Sequence, residues 1–257
     1  VLEQACEKLQ KRCEAHIKID AGFGRFGFLY NDIQAVVAVV NKLMLIDIRG
    51  TFSHFSNSFG RTEDCNAQFK RFMTALSQLE QAGIKTGMRH ICNSCAFLRF
   101  EEMHLDAVRI GSAFLGRLPI DNTLGLERIG YLHADVCEVK TLPKGFNVGY
   151  ANVYTTKRET KIAVIPAGYK DGYGVKKIDD TFRTSDIIRY VYHSVKLFFC
   201  KRSLYVTIDG HRYPIIGRIS MFNIVADVSN AAVKVGSVAS LECNPILIDS
   251  GIPREYI

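Results

Sequence analysis

The chain has 257 residues, 47% of them hydrophobic and 23% charged, with a formal net charge of +7. This is the composition of an ordinary globular protein, and the positive charge favours anionic ligands such as phosphates. The basic residues are scattered and match no nucleic-acid-binding motif, so nucleic acid is not an expected partner. The sequence shows no signal peptide or transmembrane run and does not start with Met, so we expect that an N-terminal piece is missing.

Eight irregularly spaced cysteines exclude a disulfide framework and favour a reducing, cytoplasmic location. Cys92 and Cys95 form a C-x-x-C pair, but a zinc site needs about four ligands and there is no second pair. We therefore interpret these cysteines as buried thiols and expect no bound metal. A redox pair is the alternative.

In the first half of the chain, helical and extended patterns alternate. Helices are predicted over four stretches, which are 1–14, 31–43, 64–83 and 95–101. Strands are predicted over four others, which are 16–20, 49–55, 88–94 and 106–111. Helix 64–83 places its apolar residues on one stripe. Strands that alternate with such amphipathic helices indicate a parallel sheet, and we expect this domain to occupy residues 1–125.

After about residue 125, the pattern changes to alternating, β-branched stretches separated by turn sequences. These stretches are 132–142, 159–168, 203–219, 222–230 and 237–243. They predict a mostly antiparallel β-domain over residues 126–257. Residues 183–199 fit a single helix inside it.

Residues 22–27, GFGRFG, satisfy the pattern G-x-G-x-x-G. They follow a strand and precede a helix, and Asp47 lies about 20 residues further on, as in a dinucleotide site. A nicotinamide-dependent enzyme is therefore one interpretation. Against it, the strand carries Lys18 and Asp20, where a doubly buried strand is apolar. The helix also starts late, and Arg25 adds bulk where a pyrophosphate needs bare backbone.

Polar residues recur near the ends of the four predicted strands, and active sites lie at the carboxyl ends of parallel strands. In chain order they are Arg25, His54, His90, Asn93, Ser94, Arg109, Gly111 and Ser112. The Gly-Ser step at 111–112 would expose backbone N–H groups that suit a phosphate. Taken singly, Arg109 fits a strand-end salt bridge equally well. His54 and His90, taken singly, fit buried core histidines better than ligands.

The second half offers Tyr150 and Tyr154 in GYANVY, and a Gly-Arg turn followed by Met221, which looks buried. A tyrosine is more often a packing residue than a catalytic one. It acts as a base only if its neighbours lower its pKa from about 10. Neither stretch assigns a function by itself.

Taken in order along nearly the whole chain, a series of segments resembles the alanine racemase family of fold-type III pyridoxal-phosphate enzymes. They are HIKIDAGFGRFGF, GTFSHF, RHICNSCAFL, DAVRIGSAFLG, VGYANVY, IPAGYKDGY and PIIGRISM. The resemblance implies an α/β fold in which the C-terminal half of a (β/α)8 TIM-type barrel precedes the antiparallel β-domain. The family has no long helix at the position of residues 183–199.

The resemblance also implies pyridoxal 5′-phosphate as cofactor and a small amino acid as substrate. Arg109 would contact the pyridine nitrogen, with His90 supporting it from behind, and His54 would pack near the ring. Residues at two strand ends would complete the cofactor site, namely Asn93, Ser94, Gly111 and Ser112.

The implied activity is interconversion of the L and D forms of alanine, serine or both, which supplies D-amino acids for cell-wall peptidoglycan. Arg25 and Tyr150 would be catalytic, and Tyr150 and the cofactor-bound lysine would be bases on opposite faces of the substrate. Tyr150 and the substrate-binding Met221 would come from the partner subunit of a homodimer. The tyrosine base favours a racemase over a decarboxylase of the same fold, which is an alternative.

The sequence departs from the family in three places. It has no lysine segment of the family type, so these residues alone are not expected to racemise, and a catalytically incomplete phosphate-binding chain is another alternative. Phe222 stands where the family usually has Asp. Asn244, or a neighbour, replaces the usual C-terminal Tyr, which would enlarge the pocket and admit serine. In this the chain is similar to membrane-attached serine/alanine racemases of the vancomycin-resistance type, so any membrane contact is expected through a domain outside this chain.

Overall fold

The computed structural model describes residues 1–175, 183–199 and 203–256. The chain forms two units, Val1–Arg128 and Ile129–Ile257. Each unit is built around its own sheet and its own buried apolar cluster.

The first unit is a parallel sheet with intervening helices. Its strands are β1 (Cys13–Asp20), β2 (Phe28–Leu29), β3 (Ile46–Phe52), β4 (Met88–Asn93) and β5 (Ala107–Arg109). Its α-helices are α1 (Leu2–Leu9), α2 (Ile33–Val40), α3 (Thr62–Gln81) and α4 (Ser94–Arg99). The strand order is β2-β1-β3-β4-β5, and every neighbouring pair is parallel. The predicted parallel α/β sheet is confirmed.

Several predicted boundaries are wrong. The helix predicted over 1–14 ends at Leu9, because Gln10 turns into the left-handed region at φ 49°. β1 begins earlier than predicted because Cys13 already pairs with Ile46, which also moves the start of β3. The helices predicted over 31–43 and 95–101 and the strand predicted over 106–111 are shorter than expected, and the two-residue β2 was not predicted.

The apolar stripe predicted on α3 faces the core of the first unit. Phe72, Leu76 and Leu79 are buried in one cluster with Ile19 of β1 and Ile91 of β4. Each such side chain contributes about 1.5–3 kcal/mol by leaving water. This packing fixes β1 and β4, and with them the polar residues at their carboxyl ends.

The second unit is an antiparallel sheet. Its strands are β6 (Tyr131–Asp135), β7 (Glu138–Leu142), β8 (Thr160–Ile165), β9 (Tyr205–Ile208), β10 (His211–Ile216), β11 (Ile224–Asp227) and β12 (Val238–Glu242). The order is β6-β12-β9-β10-β11-β8-β7, and every neighbouring pair is antiparallel. The predicted antiparallel β-domain is confirmed. So is the helix expected within 183–199, which is α5 (Thr184–Phe199).

Candidate active site

The glycine-rich segment after β1 folds around one buried carboxylate. Asp20 accepts hydrogen bonds from the backbone N–H groups of Gly22 and Phe23 (both 2.8 Å), Gly24 (2.9 Å) and Arg25 (3.2 Å). Burial alone would raise the pKa of Asp20, but these four donors lower it below its ordinary value. In a dinucleotide site such N–H groups point at the pyrophosphate. Here they are already used, which argues further against the nicotinamide interpretation.

Replacing Asp20 with alanine is expected to lower the free energy of unfolding by about 3 kcal/mol, because backbone donors lose a charged acceptor. The stabilisation is complete above the ordinary aspartate pKa of about 3.9 and is lost as the pH falls through the lower folded-state pKa. Urea denaturation at neutral and acidic pH measures both effects. Asp47→Ala, at an exposed salt bridge with Arg12, is the control and should have a much smaller effect. Equal effects of the two substitutions would contradict the role of Asp20.

The turn presents Arg25 on the surface beside aromatic rings. The Arg25 guanidinium lies over the ring of Phe23, with its central carbon 4.4 Å from the ring centroid. The Phe23 ring in turn packs edge-on against His54, with the centroids 5.5 Å apart. Arg25 and His54, which sequence places far apart, therefore belong to one corner of the first unit.

Arg109, at the end of β5, is the centre of a hydrogen-bonded cluster. Its guanidinium contacts Nδ1 of His90, Nδ1 of His54 (3.1 Å) and the backbone oxygen of Ser53 (2.6 Å). A guanidinium only donates, so both histidine Nδ1 atoms must accept and both rings are neutral. His90 then carries its proton on Nε2, which donates to Nδ1 of His16 on β1 at 2.9 Å.

The environment of the cluster keeps both imidazoles uncharged. Burial, then the positive charge of Arg109, and then His16 lower the pKa of His90 to about 4. Burial and the charges of Arg109, Lys18 and Arg25 also lower the pKa of His54. Arg109 is therefore the charged member of this hydrogen-bonded cluster, and it lies between two neutral rings.

Stability should depend on pH through His90. Its folded-state pKa of about 4 lies below the ordinary 6.5, so the neutral ring stabilises the fold fully above about pH 6.5. This stabilisation is lost as the pH falls from there towards 4. NMR titration of the His90 imidazole in the folded chain, with the urea-unfolded chain as reference, measures the two values. A folded-state pKa near the unfolded one would contradict the hydrogen-bond assignment.

A second feature is the turn after β5, beside the start of α4. Ser94 Oγ accepts the backbone N–H groups of Gly111 (2.9 Å) and Ala113 (3.2 Å), which leaves its own hydroxyl proton to be donated. Space beside Gly111 is open, and the N–H of Ser112 has no acceptor among the described residues. Two donors and open space beside them fit the phosphate of the expected cofactor.

Asn93 has a structural use in this arrangement. Its side-chain oxygen accepts the N–H of Ala96 (3.1 Å) as the cap of α4, and also the hydroxyl of Ser58 (2.7 Å). It thereby sets the position of Ser94, the next residue. Direct contact of Asn93 with a cofactor remains a prediction.

In the second unit, Tyr150 lies on an exposed turn with unusual backbone angles. It begins a short 3₁₀ turn, Tyr150–Asn152, preceded by Gly149 at φ 73°. Ala151 and Asn152 both have positive φ, at 60° and 49°, which is disfavoured for residues other than glycine. Tyr150 itself is 71% exposed. Residues with such disfavoured backbone angles cluster at functional sites, and here they lie next to an exposed side chain.

The segment that carries Met221 lies beside the Tyr150 turn. A Cβ on Gly217 would come within 2.7 Å of the Val148 backbone oxygen, so only glycine allows this approach. Met221 is 59% exposed, and the prediction that it is buried is wrong, because it lies in the turn after β10 rather than in the sheet. Phe222, also exposed, has the Lys170 ammonium 5.5 Å from its ring centroid.

Asn244, directly after β12, is half-buried and shapes its own turn. Its side-chain oxygen accepts the N–H of Ile246 at 3.3 Å, and its backbone oxygen accepts the N–H of Leu247 at 2.9 Å. The side-chain amide group therefore takes part in a turn of the second unit. Its predicted role toward a substrate is not tested by these contacts.

The cysteine pair behaves as predicted. Cys92 and Cys95 are free and buried. Burial raises the pKa of Cys92 to about 11, and its thiol contacts the Met103 backbone oxygen at 3.1 Å. Such thiols are unreactive. Among the described residues, no cluster of three or more His, Cys, Asp or Glu could hold a metal ion.

Two residues on β1 that contact the site, His16 and Lys18, were not predicted from the sequence. His16 supports His90, and the Lys18 ammonium lies 5.6 and 5.7 Å from the ring centroids of Phe26 and Phe52. The available signal was the polar series His16, Lys18 and Asp20, because alternate residues of a strand point to one side. Of that series, Lys18 and Asp20 served only as an argument against a buried dinucleotide strand.

This fold and site define a class of protein: a parallel α/β sheet that carries an arginine–histidine cluster and a phosphate-type turn at its carboxyl edge. Comparison with protein families then identifies the family. The alanine racemase N-terminal domain matches residues 1–119, and the alanine racemase C-terminal domain matches residues 129–245. The chain belongs to the alanine racemase family.

Individual relatives agree. The alanine racemase of Clostridium novyi is 34% identical over 263 residues, covering 97% of this chain and 61% of the relative. That of Desulfovibrio desulfuricans is 32% identical over 233 residues, covering 89% of this chain and 57% of the relative. This chain therefore spans little more than half the length of these relatives.

Solved structures give the same result. The alanine racemase of Clostridium difficile 630 superposes with a TM-score of 0.73 at 26% identity, over 93% of this chain and 58% of that one. The enzyme of Bacillus anthracis with bound L-Ala-P gives 0.70 at 26% identity, over 93% and 58%. These neighbours have a barrel followed by a β-domain, so the expected fold class is confirmed. Enzymes of this family use pyridoxal 5′-phosphate.

Proposed function

We propose that this chain supplies the arginine–histidine site and the β-domain of a pyridoxal-phosphate-dependent racemase that interconverts L- and D-alanine. One observation carries the proposal most strongly. At the carboxyl edge of the sheet, the half-buried cation of Arg109 lies between two neutral histidines, while Ser94 and Ser112 leave donors for a phosphate. Pyridoxal 5′-phosphate, the cofactor of this family, has a ring nitrogen that would suit the arginine and a phosphate that would suit the donors.

The cofactor, when bound, withdraws electrons from the α-carbon of an amino acid, so that its proton can leave. Arg109 would hold the ring nitrogen, and Ser94 and Ser112 the phosphate. Arginine does not give up a proton at ordinary pH, so Arg109 would leave the ring nitrogen unprotonated and would limit the electron withdrawal. His90 and His16 hold the Arg109 side chain in place, because each accepts a hydrogen bond from the group before it.

Tyr150 is proposed as one of two opposed bases, acting on the active site of a second copy in a homodimer. Its exposure leaves the phenol free to enter such a site. Two bases on opposite faces can remove the α-proton and return it from the other side without turning the substrate over. Arg25, also exposed, would place a positive charge in the same active site.

Serine is proposed as a second substrate, because Asn244 replaces a bulkier side chain of the family. Asn244→Tyr is expected to lower the rate with L-serine, relative to L-alanine, by about tenfold, the usual effect of closing space in a pocket. Chiral chromatography of products from both substrates, side by side, measures the ratio. Asn230→Tyr, at an exposed turn of the same unit, is a control for the added bulk. An unchanged ratio in Asn244→Tyr would remove Asn244 from the substrate site.

The D-amino acids produced are proposed to serve cell-wall peptidoglycan, and the enzyme to work in the cytoplasm. The second point is supported by seven described cysteines, all of which are free. Free thiols persist in reducing compartments. The proposed activity is tested by supplying pyridoxal 5′-phosphate to the protein, with any natural sequence that flanks these residues kept, and assaying D-alanine formed from L-alanine. Absence of D-alanine from protein that has bound the cofactor would overturn it.

A further inference from the structure

Helix α5 presents an apolar stripe to solvent. The stripe consists of Ile187, Ile188, Val191, Tyr192 and Val195. These residues recur at helical spacing on one side, and their side chains are between 47% and 69% exposed. The three apolar clusters formed by the described residues include no residue of α5. An exposed stripe of this kind marks an interaction surface.

The side of α5 that borders the stripe at Tyr192 is basic. It carries Arg189 and Lys196, which lie three and four residues from Tyr192, and His193, all exposed. The acidic residue of the helix, Asp186, is buried and ion-paired with both Arg183 and Arg189 at 3.0 Å. The field around the stripe is therefore positive, so its partner should be apolar at the centre and negative at the rim.

A membrane surface that contains anionic lipid offers both an apolar acyl layer and negatively charged headgroups. Helices with large aliphatic and aromatic residues on one face and Lys or Arg on the other lie in the plane of the headgroups. A helix of this length extends about 24 Å at 1.5 Å per residue. None of the described helices is long and apolar enough to cross a bilayer. A second copy is a poorer occupant, because it would bring the same cations of Arg189 and Lys196 to the rim.

We propose that α5 docks on anionic lipid surfaces, with its apolar stripe against the acyl chains and Arg189 and Lys196 against lipid phosphates. Docking would hold the second unit at a membrane surface. The geometry of α5 carries this inference independently of the racemase activity.

Vesicle co-sedimentation of the 257-residue chain tests this. Wild type should bind vesicles containing about one third phosphatidylglycerol at least tenfold more tightly than pure phosphatidylcholine, and high salt should weaken the binding. The double variant Ile188→Glu/Val195→Glu should bind anionic vesicles at least about tenfold more weakly. Val235→Glu, at an equally exposed valine in another turn of the same unit, should bind like wild type. Circular dichroism and a thermal transition check that each variant is folded.

Three outcomes would overturn the proposal. The first is wild type that does not prefer anionic vesicles. The second is equal binding of wild type and the folded double variant. The third is a wild-type dimer that dissociates in the double variant, together with weak vesicle binding by every variant. That result would assign the stripe to a second copy of the chain.

Discussion

Replacing Tyr150 with phenylalanine is expected to slow racemisation by about 10²- to 10⁴-fold, because the change removes only the phenolic oxygen proposed as a base. The loss should not be symmetric. Exchange of the α-proton of one enantiomer should fall far more than that of the other, since each base serves one face of the substrate. Proton exchange in D₂O, started separately from L- and D-alanine, measures the two half-reactions.

Tyr154 provides a matched control for Tyr150. It lies in the same loop but is half-buried, against the cluster that contains Leu142 and Val148. Tyr154→Phe should therefore leave both half-reactions close to wild type. If Tyr150→Phe kept both half-reactions to the same extent as Tyr154→Phe, Tyr150 would not be a base.

Replacing Arg109 with methionine is expected to lower the free energy of unfolding by about 3 kcal/mol, because it leaves buried acceptors without their charged donor. Methionine keeps most of the apolar stem, so the effect reports on the hydrogen bonds of the guanidinium. The same change should raise the pKa of His90 from about 4 towards its ordinary value, since the charge of Arg109 is one of the causes that lower it. It should also weaken cofactor binding and abolish most racemisation.

Arg109→Lys separates charge from geometry. Lysine keeps the positive charge but cannot contact His90, His54 and the Ser53 oxygen through one planar group. We expect a low His90 pKa together with lost stability. Urea denaturation and NMR titration give both values for the two variants. Full stability and an unchanged His90 pKa in Arg109→Met would contradict the place of Arg109 at the centre of the hydrogen-bonded cluster.

The site was predictable where it follows from topology. Strands that alternate with amphipathic helices imply a parallel sheet, and a parallel sheet gathers its carboxyl ends along one edge. His54, His90 and Arg109 could therefore be grouped from sequence before any contact was known, and the structure joins them by hydrogen bonds.

The remainder depends on long-range contacts that local patterns do not encode. The bond from His90 to His16 joins strands 74 residues apart in sequence. Asp20 is an ordinary acidic residue in the sequence, and only the folded turn shows that it takes the N–H groups of the glycine-rich segment. Met221 looked buried because the aliphatic pair Ile215 and Ile216 precedes its turn, but it lies beyond the end of β10.

Hydrogen exchange at the α-carbon is the most direct test of the proposed chemistry. The protein, with its natural flanking sequence and pyridoxal 5′-phosphate, is incubated with L-alanine in D₂O, and deuterium at the α-carbon and D-alanine are followed together by NMR and chiral chromatography. We predict that both appear, and that both fall sharply in Tyr150→Phe and Arg109→Met. Cofactor binding without α-deuterium or D-alanine would contradict the assignment of this site to racemisation.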